Sequence, residues 1–332
     1  MKTPSWWLSV RSGLLVLPVL GLGIAGCADP EVGVSQRPFT MYFVPSIDAE
    51  SIALSADRIT DYLEEQLSEK LYGGERRFHI KSAVPTSYVA VVEAFGTGKA
   101  DFAAFNSFSY ILTRDEKGYP VKPVLSVVRG EDEQTYKGQI IVRADSGIER
   151  LEDLAGKKFA YTDPASTSGY FLPSKLLRDR GVELGEFVFG QKHDIVVTMV
   201  YQGQVDAGAT YYSPPRVVMN NGVREEHARD AREKVSMQFP DVVEKVKILE
   251  FTRDIPNDPW VIRTNVFEDP EMQKKLEEGL VEALLTFAST ADGKDALDEL
   301  YNITGLVRAD DSTYNTLREV VGDVDLDAVI NK

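Results

Sequence analysis

Lys158-Phe-Ala-Tyr-Thr-Asp-Pro-Ala-Ser-Thr-Ser-Gly-Tyr-Phe-Leu-Pro-Ser-Lys-Leu-Leu-Arg-Asp-Arg180 is the stretch whose reading sets the fold. Lys158 to Tyr161 reads as a short buried strand and Ser168 to Arg180 as a helix, with Asp163-Pro-Ala-Ser-Thr-Ser-Gly169 between them. Strand, short loop and helix make the repeating unit of a parallel α/β layer. Three hydroxyl side chains in a row at a helix start offer O–H donors. The exposed N–H groups of the first turn add more, and the helix dipole favours an anion there. An oxyanion could therefore be ringed by donors without any formal positive charge. The same residues also suit a plain cap, filled by Ser166 or Ser168, because Ser and Thr are preferred in that position. Pro173 either falls near the first turn or kinks the helix.

The units on either side repeat the pattern. Phe39 to Val44 reads as a buried strand. Ile52 to Leu71 has helical spacing and is stopped by Gly73-Gly74. Arg77 to Val84 alternates as a strand, Tyr88 to Phe95 reads as a helix, and Asp101 to Phe105 as another strand. Val121 to Val128 and Gly138 to Val142 are two strands with no helix between them. A second series then follows, with strands at Phe187 to Gly190, Val205 to Thr210 and Lys247 to Phe251, and a helix from His193 to Gln202. After Asp258-Pro-Trp-Val-Ile262 the chain is mostly helical, over Pro270 to Ser289, Lys294 to Tyr301 and Ser312 to Val321. Two series joined near residues 140 and 255 predict an α/β fold of two lobes with two crossover strands. The expected lobes are 39–140 plus 258–332, and 141–257. Ligand sites in such sheets lie at the carboxyl ends of strands, so a cleft between the lobes is expected.

The 332 residues suffice for one large or two medium domains, and 43% hydrophobic residues are too many for a disordered chain. Lys and Arg number 37 against 52 Asp and Glu, a net charge of −15. That balance argues against nucleic acid, whose binding rests on Lys and Arg meeting phosphates. The single cysteine, Cys27, excludes an intrachain disulfide framework and any multi-cysteine metal site. Residues 1–26 read as a secretion signal. Lys2 and Arg11 precede an apolar run from Leu14 to Ala25, which is short of the ~20 residues of a membrane span. Ile24-Ala25-Gly26-Cys27 resembles a bacterial lipobox, with Cys27 as the lipidated first residue of the mature chain. Residues 27–38 suit a tether. A location in the bacterial cell envelope, lipid-anchored on the periplasmic or extracellular face, follows as an expectation.

Two further positions attract attention. His193 follows Gly190-Gln-Lys192 and opens a helix, where an imidazole could donate to an anion, which would in turn favour its protonated form. Asp258 lies in Ile255-Pro-Asn-Asp-Pro-Trp260, a strong turn signal. Beside an oxyanion its carboxylate would need a shared proton, so it suits a P–OH group or a ligand amine. His79, in a predicted strand, and His227, in a predicted charged helix over Arg224 to Arg229, read as structural. Gly-x-Ser-x-Gly, Walker A, His-Glu-x-x-His and EF-hand patterns are missing from the sequence, which gives no support for an enzyme, a metal or another cofactor.

Taken together, these segments resemble the phosphonate, phosphite and phosphate-binding lipoproteins of ABC importers, which are type II periplasmic binding proteins. The resemblance rests on Asp163-Pro-Ala-Ser-Thr-Ser-Gly169, Tyr88 to Ala94, Ala100 to Phe105, Tyr136 to Val142, Gly147 to Ala155, His193, Val205 to Ala209 and Ile255 to Pro259. It implies that Ser166, Thr167 and Ser168 hold phosphoryl oxygens. Tyr88 and Tyr136 would donate from the other lobe, His193 would complete the set, and Asp258 would face the variable group. Amine-bearing members carry a glutamate where this chain has Thr210-Tyr-Tyr-Ser-Pro214. Tyr211 or Tyr212 is expected to fill that space, which favours phosphite, phosphate or methylphosphonate.

The resemblance thus implies a monomeric extracytoplasmic solute-binding component that delivers a small phosphorus oxyanion to a membrane permease with its ATPase. A binding module reporting to a membrane signalling partner would show the same residues, and so would an enzyme built on the same two lobes. Neighbouring genes separate transport from sensing, and a turnover assay separates binding from catalysis.

Overall fold

The computed structural model describes residues 31–220 and 223–322. The expected signal, Cys27 and the first residues of the tether lie outside them. In chain order the first elements are β1 (Phe39–Phe43), α1 (Ala49–Tyr72), β2 (Ile80–Ala83), α2 (Tyr88–Gly96), β3 (Phe102–Ala104), α3 (Ser107–Ile111) and β4 (Val121–Val128). Then come β5 (Thr135–Arg143), β6 (Lys158–Tyr161), α4 (Leu172–Asp179), β7 (Glu186–Phe189), α5 (His193–Tyr201), β8 (Ala207–Tyr212), β9 (Arg216–Asn220), β10 (Val223–His227), α6 (Val242–Lys245) and β11 (Val246–Pro256). The last described elements are β12 (Pro259–Arg263), α7 (Pro270–Ser289), α8 (Ala291–Tyr301), β13 (Gly305–Arg308) and α9 (Asn315–Gly322).

Local chemistry accounts for the longest of these. Asp48 caps α1 by accepting from the N–H groups of Glu50 and Ser51. One face of α1 buries Ile52, Ile59, Leu63, Leu67 and Leu71. Gly73 ends it with φ 63°, a left-handed conformation that glycine adopts without steric cost.

Two mixed sheets organise the molecule. The first runs β13-β4-β12-β3-β1-β2, with β1 parallel to β2 and β3, and with β12 antiparallel to β3 and β4. The second runs β11-β5-β8-β6-β7, with β6 parallel to β7 and β8, and with β5 antiparallel to β8 and β11. Helices α1, α7 and α8 bury Ile52, Leu280 and Leu297 against one face of the first sheet. Helices α2, α3 and α9 bury Val91, Phe108 and Leu317 against the other. That second cluster also takes in Ala165, Phe171 and Leu172, so apolar packing continues from one sheet's layer to the next. Phe108 stacks on Phe171 with ring centroids 4.3 Å apart.

The chain crosses from the first sheet to the second between Val128 and Thr135, and returns between Pro256 and Pro259. Residue 140, where the lobes were expected to part, is inside β5. Ile140 pairs with Ala209 of β8 and with Glu250 of β11. The crossing is a loop rather than a strand, and strand periodicity does not say which sheet a strand will join. Asn257, fully buried, binds the two crossings together. Its Nδ2 donates to the carbonyls of Val127 (3.0 Å) and Glu133 (2.6 Å), and its N–H donates to that of Gln134 (3.0 Å).

One predicted element changes type. Arg224 to Arg229 was expected to be a charged helix, yet Val223–His227 is strand β10, paired antiparallel with β9. Cross-strand pairing with Val217 and Val218 outweighs the helix preference of Arg and Glu. No helix among the described residues is long and apolar enough to cross a membrane.

Candidate functional site

The loop after β6 and the turn that follows it form one wall of the site. Ser166 adopts extended backbone, and its Oγ accepts from the N–H of Gly169 at 3.0 Å. Thr167–Phe171 is then a π-turn that runs into α4, where Pro173 falls in the first turn and needs no kink. Gly169 has no room for a side chain. A Cβ there would overlap the hydroxyl of Thr162 and come within 2.9 Å of Ser166 Oγ. Asp163 holds the loop from inside, accepting from the N–H of Ala165 (2.8 Å) and of Tyr88 (3.2 Å). The second bond reaches α2 from the second sheet's loop. Burial raises the pKa of this carboxyl group.

A cavity of about 60 Å³ lies against this turn. That is room for roughly four to six atoms the size of a water. Its wall includes Tyr88, Tyr136, Ser166, Ser168, His193, Tyr211 and Asp258, seven of the residues singled out from the sequence. Thr167 stands behind the wall. Its Oγ1 donates to Asn106 Oδ1 (2.7 Å) and accepts from the N–H of Phe108 (2.9 Å). Its hydroxyl hydrogen is thus engaged away from the cavity. Of the two candidate tyrosines, Tyr211 reaches the cavity and packs edge-on against His193, centroids 5.0 Å apart. Tyr212 packs on Phe251 instead. Tyr136 was expected to reach in from the lobe opposite the serines. It stands on β5, in the same sheet as β6, for the reason already given for residue 140.

The polar groups are mostly neutral donors. Burial pushes the phenols of Tyr88 and Tyr136 well above their ordinary pKa, and the carboxylates Asp163 and Asp258 reinforce this respectively. Both keep their hydrogens. Burial pushes His193 the other way, down to about 3, so its ring is neutral at neutral pH. Its Nδ1 lies 3.3 Å from Thr162 Oγ1, whose own hydrogen goes to the carbonyl of Ala209 (3.1 Å). Nδ1 is therefore the protonated nitrogen, and Nε2 is the one that would take a second proton. The backbone just before His193 is unusual, since Gln191 has φ 68°.

Sequence reading missed several wall residues, among them Ser46, Arg129, Ser213, Lys234 and Tyr301. Ser46 lies just past the carboxyl end of β1, where the strand-end rule could have found it. Arg129 is a lone basic residue in a crossing loop, with no local pattern to mark it. Its guanidinium reaches Asp258 Oδ2 (2.8 Å), Asn257 Oδ1 (3.2 Å) and the carbonyl of Tyr301 (3.3 Å). Asp258 Oδ1 accepts from the Tyr136 hydroxyl at 3.3 Å. The Asp258 carbonyl accepts from the N–H of Val127, so its backbone continues the pairing of β12 with β4 instead of making the local turn expected from the sequence.

Comparison with known proteins bears on the fold and the family. The chain is 27% identical over 217 residues to the "Phosphate-import protein PhnD" of Mycolicibacterium smegmatis, a match covering 61% of this chain and 64% of that protein. It is 21% identical over 280 residues to the "Probable ABC transporter phosphite binding protein PhnD1" of Prochlorococcus marinus, covering 80% and 83%. The fold matches the crystal structure of a binding protein component of an ABC phosphonate transporter from Pseudomonas aeruginosa. The TM-score is 0.68 at 17% identity, over 88% of this chain and 86% of that one. A family profile described as "ABC transporter, phosphonate, periplasmic substrate-binding protein" matches residues 41–314. Two sheets, a donor-lined cavity between their layers and a profile match over most of the chain place it in one family: this chain belongs to the periplasmic substrate-binding proteins of ABC phosphonate transporters.

Proposed function

We propose that this protein is the extracytoplasmic binding component of an ABC importer and takes a small phosphorus oxyanion: a phosphonate, phosphite or phosphate. One observation carries the reading. The cavity is sized for a tetrahedral oxyanion and is walled by Ser166, Ser168, Tyr88 and Tyr136, hydroxyl groups that bring no net charge of their own. Ser166 and Ser168 hold the phosphoryl oxygens with hydroxyl and first-turn N–H groups, Thr167 contributes its N–H, the tyrosines close the ring, and His193 joins it as a donor when a proton is shared between the ligand and Nε2. Tyr211 occupies space that a long ligand tail would need. Ligand binding stabilises the closed arrangement through its greater affinity for that state. The closed form then presents the ligand to a membrane permease worked by its ATPase, with the binding protein acting as a monomer and turning nothing over. Cys27 carries a lipid that holds the molecule at the membrane. The expected tether is shorter than residues 27–38, because Val32 is buried in the core and the Gly33 carbonyl accepts from the N–H of His79, which leaves the residues before Glu31 for that role.

The test is calorimetry of the purified chain against phosphate, phosphite and methylphosphonate. Saturable one-to-one binding by at least one of them is expected. If none gives heat or raises the melting temperature, the ligand assignment is wrong.

A further inference from the structure

The wall of an anion site is an unfavourable place for a carboxylate, yet Asp258 is there, with its side chain only 19% exposed. Its partner resolves the conflict. Arg129, 11% exposed, binds Asp258 Oδ2 at 2.8 Å while its two other nitrogens are taken by Asn257 Oδ1 and the Tyr301 carbonyl. Its guanidinium also lies 5.4 Å from the ring centre of Tyr136. The group is thus fixed on four sides, and the charge of Asp258 is balanced before any ligand arrives.

An unbalanced carboxylate at this place would repel an oxyanion and attract a ligand ammonium, because charges interact strongly where water is excluded. A balanced one does neither. We propose that Arg129 determines specificity. By neutralising Asp258 it excludes phosphorus oxyanions that carry an ammonium tail and admits those with a neutral tail or none. The inference rests on the proposed oxyanion-binding function and adds to it a discrimination by charge. Specificity here comes from removing an attraction for the wrong ligand rather than adding one for the right ligand.

Two ligands of equal heavy-atom count isolate the charge: aminomethylphosphonate, with an ammonium, and ethylphosphonate, with a methyl in its place. The readout is the ratio of their dissociation constants by calorimetry at pH 7.5. The wild-type protein should bind ethylphosphonate at least tenfold more tightly. In Arg129→Met, which keeps much of the volume and loses the charge, the ratio should move at least tenfold toward the amine. Arg129→Lys should retain the wild-type preference. Asp258→Asn leaves Arg129 unbalanced and should move the ratio further against the amine, at least threefold. This second variant decides the matter if Arg129→Met does not fold. A ratio that stays within twofold of wild type in whichever of these two variants folds overturns the role of Arg129, since a merely structural residue would weaken both ligands alike. Failure of the wild-type protein to bind any phosphorus oxyanion overturns the underlying function instead, and the two failures are separately visible.

Discussion

His193 is an imidazole 4% exposed, and its surroundings decide how the ligand-free protein responds to acid. In the unfolded chain a histidine takes its proton near pH 6.5. In the folded chain burial delays that to about 3. Between those values the unfolded chain holds the extra proton, so acid favours unfolding and stability falls as pH drops. From pH 7.5 to 5.5 this residue alone should remove about 1.4 kcal/mol. Urea unfolding of the ligand-free protein at both pH values checks this, with His193→Gln as the comparison. Asp163 and Asp194, whose pKa values burial raises, act in the opposite direction in both proteins, so the difference between the two isolates the histidine. An equal pH dependence in wild type and variant would show that His193 does not titrate in this way. The sequence marked His193 as a candidate by its place at a helix start. Its neutrality was not legible there, because it comes from β6, β8 and α5 closing around the ring.

At the scale of elements, the strand-loop-helix unit from Lys158 to Asp179 was legible to within a few residues, because its alternation and its hydroxyl cluster are local signals. The π-turn at Thr167–Phe171 was not. It depends on Gly169 sitting against Thr162, a contact between two parts of the unit that no periodicity reports. Gly169→Ala should displace the Thr162 hydroxyl from His193 and disturb the Ser166 cap. The expected cost is about 1–3 kcal/mol of stability, as for other overpacked sites. Ligand affinity should fall at least tenfold as well. Urea unfolding and calorimetry measure the two, and wild-type affinity in the variant would mean that the turn absorbs the methyl without moving the site. The helix expected over Arg224 to Arg229 failed for the converse reason. Helix preference there is real, but tertiary pairing overrides it: β9 supplies a partner that the local sequence does not announce.

At the scale of the molecule, a net charge of −15 is compatible with the proposed anion site, because the wall offers neutral hydroxyls, Lys234 and an Arg129 that pairs with its one carboxylate. Long-range charge and local recognition are separate quantities once water is excluded from the site. The proposed lipid anchor belongs to this scale too. With Cys27 intact the protein should partition into the membrane fraction of a bacterial host, and Cys27→Ala should move it to the soluble fraction; recovery of both proteins in the soluble fraction would refute the anchor. The amino-acid sequence determined the alternation of strands and helices, the hydroxyl-rich helix start and the set of candidate donors, since each depends on neighbours within one or two turns. Tertiary structure alone decided which sheet β5 joins, where the chain crosses between sheets, which of two tyrosines reaches the cavity, and the pairing of Arg129 with Asp258. These are contacts between residues up to about 130 positions apart, such as the 129 separating Arg129 from Asp258, and only the closed packing of the two sheets brings them within hydrogen-bond distance.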